Sequence, residues 1–518
     1  MVLLHHTRSI FKKEIMKIIF TIYIVFFYSI MNVNGQLRFD KIFSDNMVLQ
    51  RNQPIKIGGI AQPGSIIEVS KGKQTRITKT KSDATWLVVF NPEKENASPQ
   101  SIKAKTNADS ISINNVLVGD IWLCIGQSNM EWPMFKEIHY KIEKNDSDQR
   151  LLRWFNPTYA GKNTYNQLFS DSIRANLTSN KFYNGHWQQS DSTTSGLMSA
   201  VAYYFGKNIS NKLNIPIGLI NLSIGGAALE SFISIAAFQE SKKFSNKIVG
   251  NWINNDALPV WIRERGLQNI GKMDTNISRD HLNSNHAFKP GFAFESGIRP
   301  LLNLSITGIL CYQGESNAQE LVRVFEYTAL TKLLINDYRK KWNDPRLPFY
   351  FTQLSSIDTL NYKGHFWPQF RDEQRKIVQL IPYTGMAVTS DIGHRNDVHP
   401  TNKKTVGERL ALLALSKTYF QNIVYSGPEP TSAIFKNNKI IISFNHTGGL
   451  LQTSDTSILC GFSLDGRNPI AATINKNNIV INTNKKPEFI YYGWQPYSIG
   501  NLINKSLLPT STFKIPVK

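Results

Sequence analysis

An α/β fold built on a parallel sheet, with smaller β domains at both ends of the chain, is the architecture the sequence predicts. Three observations predict it. Nearly continuous apolar runs, such as Ile121–Ile125 and Ile215–Ile224, read as parallel strands buried on both faces. Segments of helical period lie between these runs, and alternating strands and helices imply right-handed crossovers. The stretches before and after carry only short β-type runs broken by turn residues.

The elements follow in chain order. Residues 1–35 read as a signal peptide: Arg8, Lys12, Lys13 and Lys17 precede the apolar run Ile18 to Met31, and small polar residues follow. The run is shorter than the roughly 20 residues of a membrane span. No cysteine follows it, so no lipid anchor is expected. A secreted or periplasmic chain, with no stable membrane insertion after cleavage, is therefore expected.

Residues 36–115 form an expected N-terminal β domain, with strands near Ile55–Gly59, Ser65–Val69 and Trp86–Phe90 and a turn at Pro63-Gly64. Residues 116–425 form the expected catalytic domain. Its strands are Val116–Val118 with Ile121–Ile125, then Ile215–Ile224, Ile306–Tyr312, Pro348–Leu354 and Gly385–Ser390. Leu197, Val201, Phe205, Ile209 and Leu213 recur every four residues on one helix face. Glu326–Trp342, Asp372–Ile381 and Lys404–Tyr419 also read as helices. About 231–300 lacks a clear period and reads as an insertion near the site. Residues 426–518 form a second β domain, with strands at Lys439–Phe444 and Asn478–Asn482 and turns at Gly448-Gly449 and Asp465-Gly466.

Composition narrows the function. The 518 residues suggest two to four domains at about 150 residues each. With 41% hydrophobic and 19% charged residues, the chain is neither largely disordered nor a coiled coil. Its formal charge is +21, but the basic residues are scattered and not interleaved with aromatics. That is a solvated basic surface, with no nucleic-acid partner. Cys124, Cys311 and Cys460 are three and widely spaced, which fits no disulfide framework and no zinc pattern. His-Glu-x-x-His and the phosphate-binding Gly-x-x-x-x-Gly-Lys-Ser/Thr are absent.

Four blocks carry the chemistry, each just after a predicted strand, where open α/β sheets bind ligands. Gly126-Gln127-Ser128-Asn129-Met130 puts a serine at a tight strand-to-helix turn, where its hydroxyl is exposed and its N–H can face an oxyanion. Ser223-Ile224-Gly225-Gly226-Ala227 lets backbone N–H groups approach a ligand. Tyr312-Gln313-Gly314-Glu315-Ser316-Asn317 offers the Gln313 amide at a strand end. Asn396-Asp397-Val398-His399-Pro400 precedes a helix expected from near Thr401. His399 can serve as general base toward Ser128, and Asp397 can hold its tautomer, in the order Ser, Asp, His. Asp391, at the end of another strand, is the competing carboxylate.

Together these blocks resemble the SGNH-type carbohydrate esterases, and within them the sialate O-acetylesterase branch. Phe43-Ser44-Asp45-Asn46-Met47-Val48-Leu49-Gln50-Arg51 resembles that branch's N-terminal signature, and Val406-Gly407-Glu408-Arg409-Leu410 its helix after the histidine. The resemblance implies a three-layer, flavodoxin-like core. It implies Ser128 as nucleophile, His399 as base and Asp397 as orienting acid, with Ser128 N–H, Gly226 N–H and the Gln313 amide as oxyanion donors. Asn129, Glu315 and Asn317 become the substrate-binding candidates, and no metal or organic cofactor is implied. The second block departs from the family, which commonly has Trp before its glycines and Thr after; that alters the substrate wall. The expected reaction is release of O-acetyl groups from an acetylated saccharide, sialic acid first. An acetylesterase acting on xylan or another glycan, an SGNH lipase or thioesterase, and a non-catalytic glycan-binding protein are the competing readings.

Overall fold

The computed structural model describes residues 36–271, 277–360 and 362–518. The signal-peptide expectation falls on residues 1–35 and lies outside them. The chain divides into two compact units. Of the described residues, the smaller takes 36–41, 56–90 and 101–113, and the larger takes 42–55, 91–100 and those from 114 onward.

The smaller unit is antiparallel β structure. The Ile66–Lys71 strand pairs with Gln74–Lys79 on one side and with Asn96–Lys105 on the other. Alternation along these strands buries Ile67, Val69, Ile102 and Ala104 on one face. Trp86 and Phe39 meet edge to face at 5.7 Å.

The larger unit is organised by a seven-strand path. Trp187–Ser190, Gln149–Phe155, Ile217–Asn221, Ser110–Gly126, Gly308–Tyr312, Phe349–Thr352 and Thr384–Ala387 lie side by side in that order. Every neighbouring pair is parallel except the first, which is antiparallel. Setting aside the two strands at the Trp187–Ser190 edge, the remaining five run 2-1-3-4-5 in chain order. That is the flavodoxin-like order, with its switch point between Ser110–Gly126 and Gly308–Tyr312. The central strands are buried and mostly apolar, Ser110–Gly126 from Val116 onward, because both of their faces are covered there. Ala200–Leu213 packs against Lys404–Lys417, and Leu321–Trp342 against Trp367–Leu380. Gly407 permits the first of these contacts: a Cβ there would stand 2.6 Å from the carbonyl oxygen of Val201.

The C-terminal strands belong to the larger unit. Lys439–Asn445 pairs with Glu429–Lys436 and Asn478–Asn482 over a core that includes Ile440, Ile442, Ile479 and Ile481. Arg371, fully buried, donates to the carbonyls of Gly493 at 3.0 Å, Pro496 at 3.1 Å and Gln495.

Four details differ from the sequence reading. The Phe43–Arg51 block, expected within an N-terminal domain, falls in the larger unit. Val48–Gln50 pairs in parallel with Leu117–Gly119, and Arg51 grips Asp120 with two bonds of 2.9 Å. The Gln149–Phe155 strand was not expected, since Arg150 and Arg153 interrupt its apolar run; Arg153 is nonetheless buried. Leu197, expected on a helix, precedes the Ser199 cap and is 68% exposed. The final helix starts at Lys404, as its apolar period predicts, and not near Thr401 as the histidine block suggested, so the histidine loop runs on to Lys403.

Candidate active site

The site lies at the switch point and is assembled from the turn after Gly126 outward. Gly126 has φ +134°, and a Cβ on it would fall 2.1 Å from the carbonyl oxygen of Tyr312, so only glycine fits. The strand can therefore end flush against its neighbour and turn at once into Ser128–Glu131. Gln127 wires the turn to the third block. Its N–H donates to Tyr312 O at 3.0 Å, and its side-chain oxygen accepts from Ser316 N–H and Gln313 Nε2, both at 3.2 Å. The second block is tied in by Ile224 N–H donating to Gly126 O at 3.0 Å.

Ser128, Asp397 and His399 come together. Ser128 Oγ lies 2.9 Å from His399 Nε2. Asp397 Oδ1 lies 3.1 Å from His399 Nδ1 and accepts the His399 backbone N–H at 2.8 Å. The two-residue spacing makes this possible: the carboxylate curls back onto the backbone and ring of the histidine. Trp132 stacks on the imidazole, with ring centres 5.4 Å apart. Burial is the largest influence on His399 and lowers its pKa; Asp397 opposes this, while Lys403 and Lys136 reinforce it.

Asp391 is occupied elsewhere. It forms a bidentate pair with Arg409 at 2.7 and 2.6 Å, and Arg409 also donates to Val388 O. Between the two carboxylates considered for the histidine, only Asp397 meets it.

The oxyanion candidates divide. Among the described residues, the backbone N–H groups of Ser128 and Gly226 have no hydrogen-bond partner in the protein. Gln313 does not join them. Its amide donates to Asn317 Oδ1 at 2.7 Å, Gln127 Oε1 at 3.2 Å and Ala227 O at 3.3 Å, and its oxygen accepts from the Tyr327 hydroxyl at 2.8 Å. Its donors are spent inside the protein, because a buried amide is held by every partner within reach.

Asn129, Glu315 and Asn317, expected to meet substrate, are also interior, each 1% exposed. Asn317 accepts from Leu229 N–H and donates to Glu230 Oε2, bracing the second block. Asn129 donates to Glu315 and, at 3.0 Å, to the carbonyl of Val398, the residue before the histidine. Lys403 donates to Asn129 Oδ1 and lies over the rings of Trp132 and Tyr312. Burial pushes Glu315 up to about 7 and pulls Lys403 down to about 7.

Sequence reasoning missed Lys403 and Trp132. Lys403 carried one signal. It stands at the N-terminal cap of a helix, where a cation is disfavoured, and so invites the question of what holds it there.

Comparison with known proteins follows the same lines. A family model described as carbohydrate esterase, sialic acid-specific acetylesterase, matches residues 293–416, which hold Gln313, Asp397 and His399. The chain is 28% identical over 437 residues to the sialate O-acetylesterase of Mus musculus, covering 76% of each. It is 27% identical over 426 residues to that of Homo sapiens, covering 76% of this chain and 73% of the relative. The solved structure of a carbohydrate acetylesterase from Xanthomonas citri superposes with a TM-score of 0.74 at 27% identity, covering 92% of this chain and 99% of that one. By its matched domain and its relatives, the chain is a carboxylic ester hydrolase similar to the sialate O-acetylesterases and to a carbohydrate acetylesterase of solved structure.

Proposed function

We propose that this chain is a serine esterase that removes O-acetyl groups from carbohydrate, with O-acetylated sialic acid as substrate. One observation carries the mechanism: the 2.9 Å contact between Ser128 Oγ and His399 Nε2, with Asp397 at the other ring nitrogen. Ser128 attacks the acetyl carbonyl while His399 takes its proton. Asp397 keeps the imidazole in the tautomer that accepts at Nε2 and stabilises the imidazolium once formed. The free N–H groups of Ser128 and Gly226 receive the developing oxyanion. His399 then returns the proton to the departing sugar hydroxyl. Water, activated by the same histidine, hydrolyses the acetyl-serine and regenerates the enzyme.

The substrate comes from the sialate O-acetylesterase relatives and the sialic acid-specific domain. The positively charged start and apolar run before residue 36 support secretion or delivery to a periplasm. The test is acetate release from 9-O-acetylated sialoglycans beside acetylated xylan. Preferential release from the sialoglycan is expected. Release from xylan alone would replace the substrate, and release from neither, with no hydrolysis of an aryl acetate, would overturn the enzyme reading.

A further inference from the structure

Beside the Gly225-Gly226 turn lies a groove that the acyl-transfer chemistry does not use. Its floor is tied to the nucleophile's own turn. The Tyr159 hydroxyl donates to Glu131 Oε2 at 3.1 Å and accepts the Gly225 N–H at 3.1 Å. Glu131 closes the last turn of the short helix that Ser128 opens. Lys162 pairs with the other oxygen of Glu131 at 3.1 Å, so this charge is already matched.

A second cation in the groove has no such match. Arg265 lies on the Val260–Ile270 helix, one turn after Trp261. Its guanidinium sits 4.8 Å over the Trp261 ring and 5.7 Å from the Tyr165 ring centre. Trp261 Nε1 donates to Gly226 O at 3.0 Å, so the platform under the guanidinium is fastened to the proposed oxyanion turn. Arg265 donates to Asn166 Oδ1, and among the described residues no carboxylate pairs with it. Tyr159, Tyr165, Gly225, Arg265 and Phe288 line one continuous depression. A stacked guanidinium is pre-ordered, and its fork matches a carboxylate bidentately.

We propose that this groove binds the sugar of the ester substrate and that Arg265 receives the carboxylate of an acidic sugar, making it a specificity-determining residue. The assignment rests on the acetylated-saccharide reading above. The acetyl group would lie between Ser128 and the Gly226 N–H. The sugar body would pass the partly exposed Gly226 toward Tyr165, where its apolar face meets aromatic surface. The acid would end on the guanidinium. A neutral acetylated sugar lacks that last contact.

The experiment compares acetate release from a 9-O-acetylated sialic acid methyl glycoside and from its C1 carboxamide, which keeps the shape and removes the charge. For the unaltered enzyme, kcat/KM should favour the acid by about tenfold, the scale of one charge-assisted pair. Arg265→Gln should bring the ratio to about one. Arg265→Lys, which keeps the charge without the fork, should fall between. Each ratio is internal to one protein preparation, so partial misfolding does not alter it. An unaltered enzyme that treats acid and carboxamide alike, while releasing acetate from both, overturns this assignment and leaves the esterase reading intact. Retention of the preference in Arg265→Gln overturns it equally. An enzyme that hydrolyses an aryl acetate but releases nothing from either sugar defeats the substrate reading and this assignment with it.

Discussion

The turn that carries Ser128 and the loop that carries His399 meet across the Ser128–His399 hydrogen bond, yet they are built in opposite ways. The serine turn is the end of a buried strand. A glycine pressed on a neighbouring carbonyl and the bonds of Gln127 fix it. The histidine loop is irregular, with the His399 side chain 30% and the Asp397 side chain 52% exposed. It is held from behind: Asn129 grips the Val398 carbonyl, Lys403 grips Asn129, and Trp132 backs the ring. Precision in the rigid half comes from backbone packing, and in the open half from buried polar side chains.

The largest expected effect breaks the rigid half. Ser128→Ala should lower kcat by about 10³-fold or more with the thermal melt unchanged, because the nucleophile and its base act as a unit. Retention of a tenth of the activity on an aryl acetate would remove Ser128 from its role.

Next comes the exposed carboxylate. Asp397→Asn should lower kcat/KM by about 10²-fold, less than for a fully buried partner, because water can replace part of a half-exposed carboxylate. The pH profile gives a sign. The proposed mechanism needs neutral His399, and burial holds its pKa below the ordinary value, so the acid limb should lie below the usual histidine range. Asp397 raises the histidine's pKa, so its loss should move that limb to still lower pH. A limb that moves upward in Asp397→Asn would contradict the assignment.

Lys403→Met tests the clamp. It should cost about tenfold in kcat with little change in KM, since the histidine loop loses its anchor rather than a substrate contact. Thermal stability should fall as well, because the buried Asn129 Oδ1 loses its donor. A lowered melt with unchanged kcat would make Lys403 a packing residue only.

The smallest activity change is expected at Asp391. Asp391→Asn should leave kcat/KM within about twofold while lowering the melting temperature, because Arg409 loses a bidentate partner at a cost of about 1–3 kcal/mol. Strong inactivation of a folded Asp391→Asn protein, beside an active Asp397→Asn, would reverse the two carboxylates.

The parallel sheet was legible because strands buried on both faces leave unbroken apolar runs. The strand containing Arg153 was not, since a buried cation mid-strand looks like a loop in sequence. That Ser128, Asp397 and His399 would meet was legible because each follows a strand end or precedes a helix. Asn129, Glu315, Gln313 and Asn317 were placed in the right neighbourhood and given the wrong direction. A polar residue in a strand-end loop can face the ligand or the interior, and only the partners on distant segments decide which. Asn129 turns inward because Glu315 and Lys403, 186 and 274 residues away, wait there.

The bond between Ser128 and His399 closes a span of 271 residues. The serine turn can form as soon as the strands beside it are made, but its base is supplied from the far end of the sheet. On the proposed roles, a chain still being synthesised carries the serine turn without its base until Thr384–Ala387 joins the sheet edge and the loop beyond it reaches back. With those roles, reactivity would be reserved for a molecule that has completed its sheet.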